Sequence, residues 1–146
     1  MSSFTSPLRL EFDWHGNPDK PFVLLEAFTY RVGEERENKH ITVPVGFRTD
    51  FASIPRAFKS LFSPTGCYGK AAITHDYLYE DGWVSQLLID DITGDTFELM
   101  YRPTRKEADG IFKEAMEVLG VGWWTRHAVY IAVRIGGRGS FTKETD

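Results

Sequence analysis

The chain has 146 residues, 42% of them hydrophobic and 26% charged, with a formal net charge of −4. That is enough for one domain with a core of its own, and the charge balance argues against a general nucleic-acid binder, which needs a basic surface to displace counterions. The single cysteine, Cys67, excludes an internal disulfide and a cysteine-based zinc cluster, and no stretch approaches the roughly 18 apolar residues of a membrane span.

The first third reads as strands. "MSSFTSPLRLEFDW" holds no apolar run of the signal-peptide kind, so a cytosolic product is expected. Within it Leu8 to Trp14 alternates apolar and polar residues, and "HGNPDKP" supplies turn chemistry. "FVLLEAFTYRV" (Phe22 to Val32) predicts a strand, "GEEREN" a charged hairpin loop, and "KHITVPV" a return strand with Ile41, Val43 and Val45 on one face.

After the loop "GFRTDFASIPR", Ser53 as N-cap with Pro55 in the first turn predicts a helix running to about Phe62. A second helix is expected over Lys70 to Glu80, ending at Gly82. "WVSQLLIDDITGDTFELMYR" fits a short helix or a small hairpin. "TRKEADGIFKEAMEVLG" is the clearest helix, with Thr104 and Glu107 as a capping box and Gly120 closing the far end. The last element, "WWTRHAVYIAVRI", is helical and apolar on most sides. Strands first and helices after predict an α+β domain, residues 1–146, with a small antiparallel sheet packed against a helical C-terminal half.

On a helical wheel Ala71, Ala72, Leu78 and Tyr79 share one arc of the second helix, with His75 at its centre and Asp76 on the flank. An imidazole pointing at the core, one turn from Tyr79, marks either a site or a histidine satisfied by a backbone carbonyl. Asp109 lies at the edge of the apolar arc of its own helix, where it can reach a packed neighbour or pair with Arg105 and Lys113 on the surface. Arg48, Thr49, Asp50 and Ser53 gather polar groups in the loop before the helices. They suit an ion or anion site, or Asp50 and Ser53 simply cap the next helix. No phosphate-binding glycine loop and no G-x-S-x-G elbow is present. The adjacent His75 and Asp76 fit a metal phosphohydrolase pattern only if an upstream helical histidine joins them, and the one available, His40, is in a strand-like segment.

"VPVGFRTDFASIPR", "HDYLY", "RKEADGIF" and "VYIAVRIGG", in that order, resemble the family catalogued as domain of unknown function 1353, found in tailed phages and prophages. The resemblance implies a phage or prophage origin, with synthesis in the bacterial host cytoplasm and a role either in the virion or inside the cell, but no established activity. Locally, "THDYLY" followed by "ADGIFKEAM" is similar to the catalytic helix pair of phospholipases A2. That similarity implies His75 as general base, Asp109 as the residue orienting it, Tyr79 bonded to Asp109, Phe112 at the family's Phe position and Asp76 as a Ca²⁺ ligand. The family's glycine-rich calcium loop has no counterpart before His75, where the chain reads "PRAFK", and Asp50 is the substitute ligand.

The expected function is therefore a phage-encoded hydrolase-like protein working on an ester, with phospholipid leading and Ca²⁺ as the implied cofactor. Trp123, Trp124, Arg126, Arg134 and Arg138 in and after the last helix suit a lipid interface, a core helix or a protein surface. Two alternatives stand beside the hydrolase. One is a non-catalytic tail or baseplate protein, bound to another phage protein, in which the polar residues lock the helix pair. The other is a ligand-binding protein that disarms a host defence.

Overall fold

The computed structural model describes residues 3–5, 7–33, 38–51, 56–58, 68–80 and 82–136. In chain order these form β1 (Ser3–Phe4), β2 (Leu10–Phe12), β3 (Phe22–Leu24), β4 (Phe28–Val32), β5 (Lys39–Val43) and β6 (Arg48–Thr49). A 3-10 turn at Arg56–Phe58 precedes α1 (Gly69–Glu80), the strands β7 (Val84–Ile89) and β8 (Thr96–Tyr101), and the helices α2 (Arg105–Val118) and α3 (Trp123–Gly136). The class is α+β. Two antiparallel sheets form, one of five strands in the order β1-β4-β5-β7-β8 and one of three in the order β2-β3-β6.

The strand expected over Phe22 to Val32 divides between the two sheets. Leu24 receives its backbone partners from the following loop, Phe47 O and Gly46 N, and the chain bends at Leu25 and Glu26 before β4 begins. Gly46 supplies the turn with φ +87°, a conformation cheap only for glycine. The segment that fitted either a helix or a hairpin is a hairpin, β7–β8, closed by the Asp90 N–H to Asp95 O bond at 2.8 Å. It adds two strands from the middle of the chain to a sheet expected only from its first third. Of the helix expected over Ser53 to Phe62, only the turn Arg56–Phe58 falls among the described residues; Ser53, Cys67 and Arg138 lie outside them.

Alternation in β4 and β5 puts Ile41 and Val43 in the core as expected, but Val45, expected on the same face, lies in the turn after β5 and is 64% exposed. Phe28 and Tyr30 pair across to Val43 and Ile41, and all four are buried. Burying each such side chain contributes on the order of 1.5–3 kcal/mol. Against this face pack α1, on β5, and α2, on β4, and the two helices also pack on each other. Ala71 and Ala72, both buried, leave room for that close approach. Enclosed in this way, α1 is covered nearly all round, including Asp76 on its expected flank. Gly82 follows it where a Cβ would sit 2.6 Å from the Tyr77 carbonyl oxygen.

Thr104 caps α2 as expected, its hydroxyl oxygen accepting from Glu107 N–H at 3.1 Å. The reciprocal half of the box is absent from the bonding pattern, because Glu107 Oε1 accepts instead from the Tyr101 hydroxyl at 2.5 Å. At the far end Gly120 (φ +86°) and Val121 donate to Glu117 O and Met116 O, the paired bonds of a Schellman close. The Glu114 carboxylate ties α2 to the sheet, accepting from Tyr30 Oη at 2.6 Å and Gly33 N at 2.8 Å. By contrast α3 buries only one stripe, Val129 and Val133, and leaves Trp124, Ile131 and Ile135 exposed.

Candidate functional site

A polar centre lies where α1, α2 and α3 meet. The 3.6-residue period places His75 and Tyr79 one turn apart on α1, and both face Asp109 on α2. His75 Nε2 is 2.7 Å from Asp109 Oδ1, and the Tyr79 hydroxyl donates to the same oxygen at 2.5 Å. The other oxygen, Oδ2, accepts from Arg134 Nη1 of α3 at 2.9 Å and lies 3.5 Å from Arg105 Nη1. Arg105 also donates to the carbonyls of Val133 and Arg134 near the end of α3. The side chains of His75 and Asp109 both have 0% exposure.

Every contact made by Asp109 serves its ionised form. Burial works to raise this carboxyl, but hydrogen bonds from His75, Tyr79 and Arg134 outweigh it and hold it below the ordinary carboxylate value. Tyr79 is pushed up, first by burial and then by the carboxylate it donates to. An ionised carboxylate can only accept, so His75 Nε2–H donates to Asp109. The ring itself is clamped between Phe112, stacked at a centroid distance of 4.4 Å, and Tyr79, at 4.1 Å.

The structure thus brings His75, Tyr79, Asp109 and Phe112 together. It turns Asp76 elsewhere: that buried carboxylate accepts from the hydroxyl of Thr49, at the end of β6. Thr49 also accepts from Phe51 N at 3.0 Å, where the backbone takes φ +58°. Asp50 between them is exposed. Arg48 binds Asp13 Oδ2 at 2.7 Å, and its guanidinium is the first cause holding the Asp13 carboxyl below its ordinary value. Among the described residues no group of three or more His, Cys, Asp or Glu side chains is placed to hold a metal ion. Asp76 and Asp50 are thus not gathered with a third carboxylate into the oxygen cage that calcium requires, so no step is assigned to a metal.

Arg105 and Arg134 are the members that sequence reasoning did not assign to the site. Arg105 was expected in a surface pair and is buried. Arg134 was read among residues suiting a lipid interface, a core helix or a protein surface, and its guanidinium binds Asp109. Arg126 lies nearer the Val129–Val133 stripe than Arg134 does, so the helical period of α3 did not single Arg134 out.

A model of the family described as "Protein of unknown function (DUF1353)" matches residues 22–133, well over half of the chain. The chain belongs to this family. No curated protein and no solved structure matches it. The DUF1353 match spans β3 to the last turn of α3, so it contains His75, Tyr79, Arg105 and Asp109 and stops one residue before Arg134.

Proposed function

We propose that this DUF1353 protein is a hydrolase in which His75 acts as general base on a water that attacks an ester, with phospholipid the leading substrate class. The observation that carries this reading is the shared oxygen: Asp109 Oδ1 holds both His75 Nε2 and the Tyr79 hydroxyl. Asp109 accepts from Nε2–H and stabilises the imidazolium formed when the proton moves. Tyr79, Arg105 and Arg134 act as positioning residues, since each touches Asp109 rather than the reacting atoms. Substrate has to uncover the ring, because the His75 side chain is fully buried.

A phage or prophage origin, synthesis in the bacterial host cytoplasm and association with the virion belong to the same proposal. They are supported by the four sequence blocks alone, and detection of the protein in purified virions tests them.

The sealing of His75 and Asp109 favours a second reading, in which the same five side chains lock three helices together in a non-catalytic phage component. One experiment separates the two. Fatty-acid release from mixed phospholipid vesicles is followed with Ca²⁺ and with chelator, for the native protein and for His75→Ala. The hydrolase reading expects release that falls by about a hundredfold or more in a still-folded variant. Absence of release from the folded native protein, with the variant melting several degrees lower, supports the lock and defeats the hydrolase.

A further inference from the structure

Among the described residues the five-stranded sheet has one long open edge. Its other edge, β1, is two residues long, whereas β8 presents six residues, Thr96–Tyr101, with the partner β7 on one side only. Exposed edges are normally blunted by Lys, Pro or a bulge. The sequence "TFELMY" carries neither Lys nor Pro, and its ladder to β7 runs without interruption from Thr96 to Tyr101.

This edge also carries exposed apolar side chains. The β5–β7 register extends only to Gln86, so among the described residues the distal hairpin is a two-stranded ribbon, with one further bond from Leu87 N to Asn38 O. A two-stranded ribbon is marginal by itself in water. Phe97 is 50% exposed, Leu99 46%, Met100 56%, and Ile92 at the tip 95%.

We propose that β8 is a homodimerisation strand, pairing antiparallel with β8 of a second copy about a two-fold axis at Leu99. Bonding to β7 alternates along β8. Because Asp95 faces β7, bonding to Asp90, the backbone groups of Thr96, Glu98 and Met100 point outward. A two-fold axis normal to the sheet sets one residue opposite its own copy, and two registers keep most of the strand paired. Centring on Glu98 places two like charges directly opposite each other, which is unfavourable. Centring on Leu99 sets Leu99 against Leu99, Phe97 against Tyr101, and Glu98 against Met100 of the other copy. That arrangement builds an apolar and aromatic ladder on one face and satisfies the outward backbone groups of both strands. The occupant is therefore a second copy of this chain, selected by the self-complementarity of its own edge.

The test is sedimentation equilibrium of the intact protein over a micromolar concentration series, since a single strand pair lies at the small end of specific interfaces. The native protein is expected at twice the monomer mass in the upper range. Leu99→Lys places two cations face to face on the axis and is expected to shift the dimer at least tenfold towards monomer. Met100→Lys sets a lysine opposite Glu98 of the other copy twice, and it is expected to keep or tighten the dimer, more so at low salt. A native protein that stays monomeric throughout overturns the proposal. So does dissociation by Met100→Lys, which would mean that a general apolar patch, or another register, makes the contact.

Discussion

Asp109 concentrates the consequences of this fold in one side chain. Its carboxyl is lowered and the Tyr79 phenol is raised, so the two groups limit stability from opposite ends of the pH scale. For a lowered carboxyl, the stabilisation is complete above the ordinary value of 3.8 and disappears as pH falls through the folded value. For a raised phenol it is complete below the ordinary value of 10.0 and disappears as pH rises above it. Urea midpoints are therefore expected to be level around neutrality and to fall on both sides. Tyr79→Phe should lower the plateau by about 1–2 kcal/mol through the lost hydrogen bond. It should also flatten the alkaline limb, by up to about 1.4 kcal/mol per pH unit. Equal alkaline slopes in native protein and variant would show that Tyr79 does not ionise on unfolding in this range.

At the scale of the element, α2 is held at both ends by local chemistry that owes nothing to the site. Replacing the Thr104 hydroxyl removes the acceptor for Glu107 N–H, and Thr104→Ala is expected to cost about 1 kcal/mol. Gly120 sits at φ +86° with nothing within 4 Å of an added Cβ. Gly120→Ala is thus a pure test of backbone strain, expected to destabilise by about 1 kcal/mol without disturbing packing. Both changes should move the thermal midpoint while leaving vesicle hydrolysis, if present in the native protein, at its native rate below the transition. A loss of activity ahead of unfolding would tie the cap geometry to the site and contradict this separation.

In the whole molecule, the polar centre is the junction through which α3 is attached. Two valines and the Arg134–Asp109 contact hold that helix, with Arg105 reaching across to its last carbonyls. Arg134→Met keeps the apolar stem and removes the charge. Since Arg134 is a quarter exposed, its loss is expected to cost about 1–3 kcal/mol rather than the full penalty of a sealed pair. Amide exchange should report the change first in α3, before α1 or the β4–β5 core. Uniform exchange across the chain would mean that α3 does not open as a separate unit.

Local pattern alone determined much of this protein: the alternation of β4 and β5, the capped helix α2, and the helical spacing of His75 and Tyr79, whereas the pairing of that face with Asp109 was implied only by the phospholipase A2 resemblance. The first three are short-range or period-governed features, set by φ/ψ preference and by which face of an element is apolar. The tertiary structure alone decided the rest. One continuous strand-like run was divided between two sheets because the Gly46 turn captures Leu24, a partner 22 positions away in sequence. The ambiguous middle segment became a hairpin because its first strand finds β5. Asp76 was buried against Thr49, and Arg134 was drawn to Asp109, because a carboxylate removed from water takes whatever donors the packing brings within reach. Such partners come from distant parts of the chain, and no local period records them.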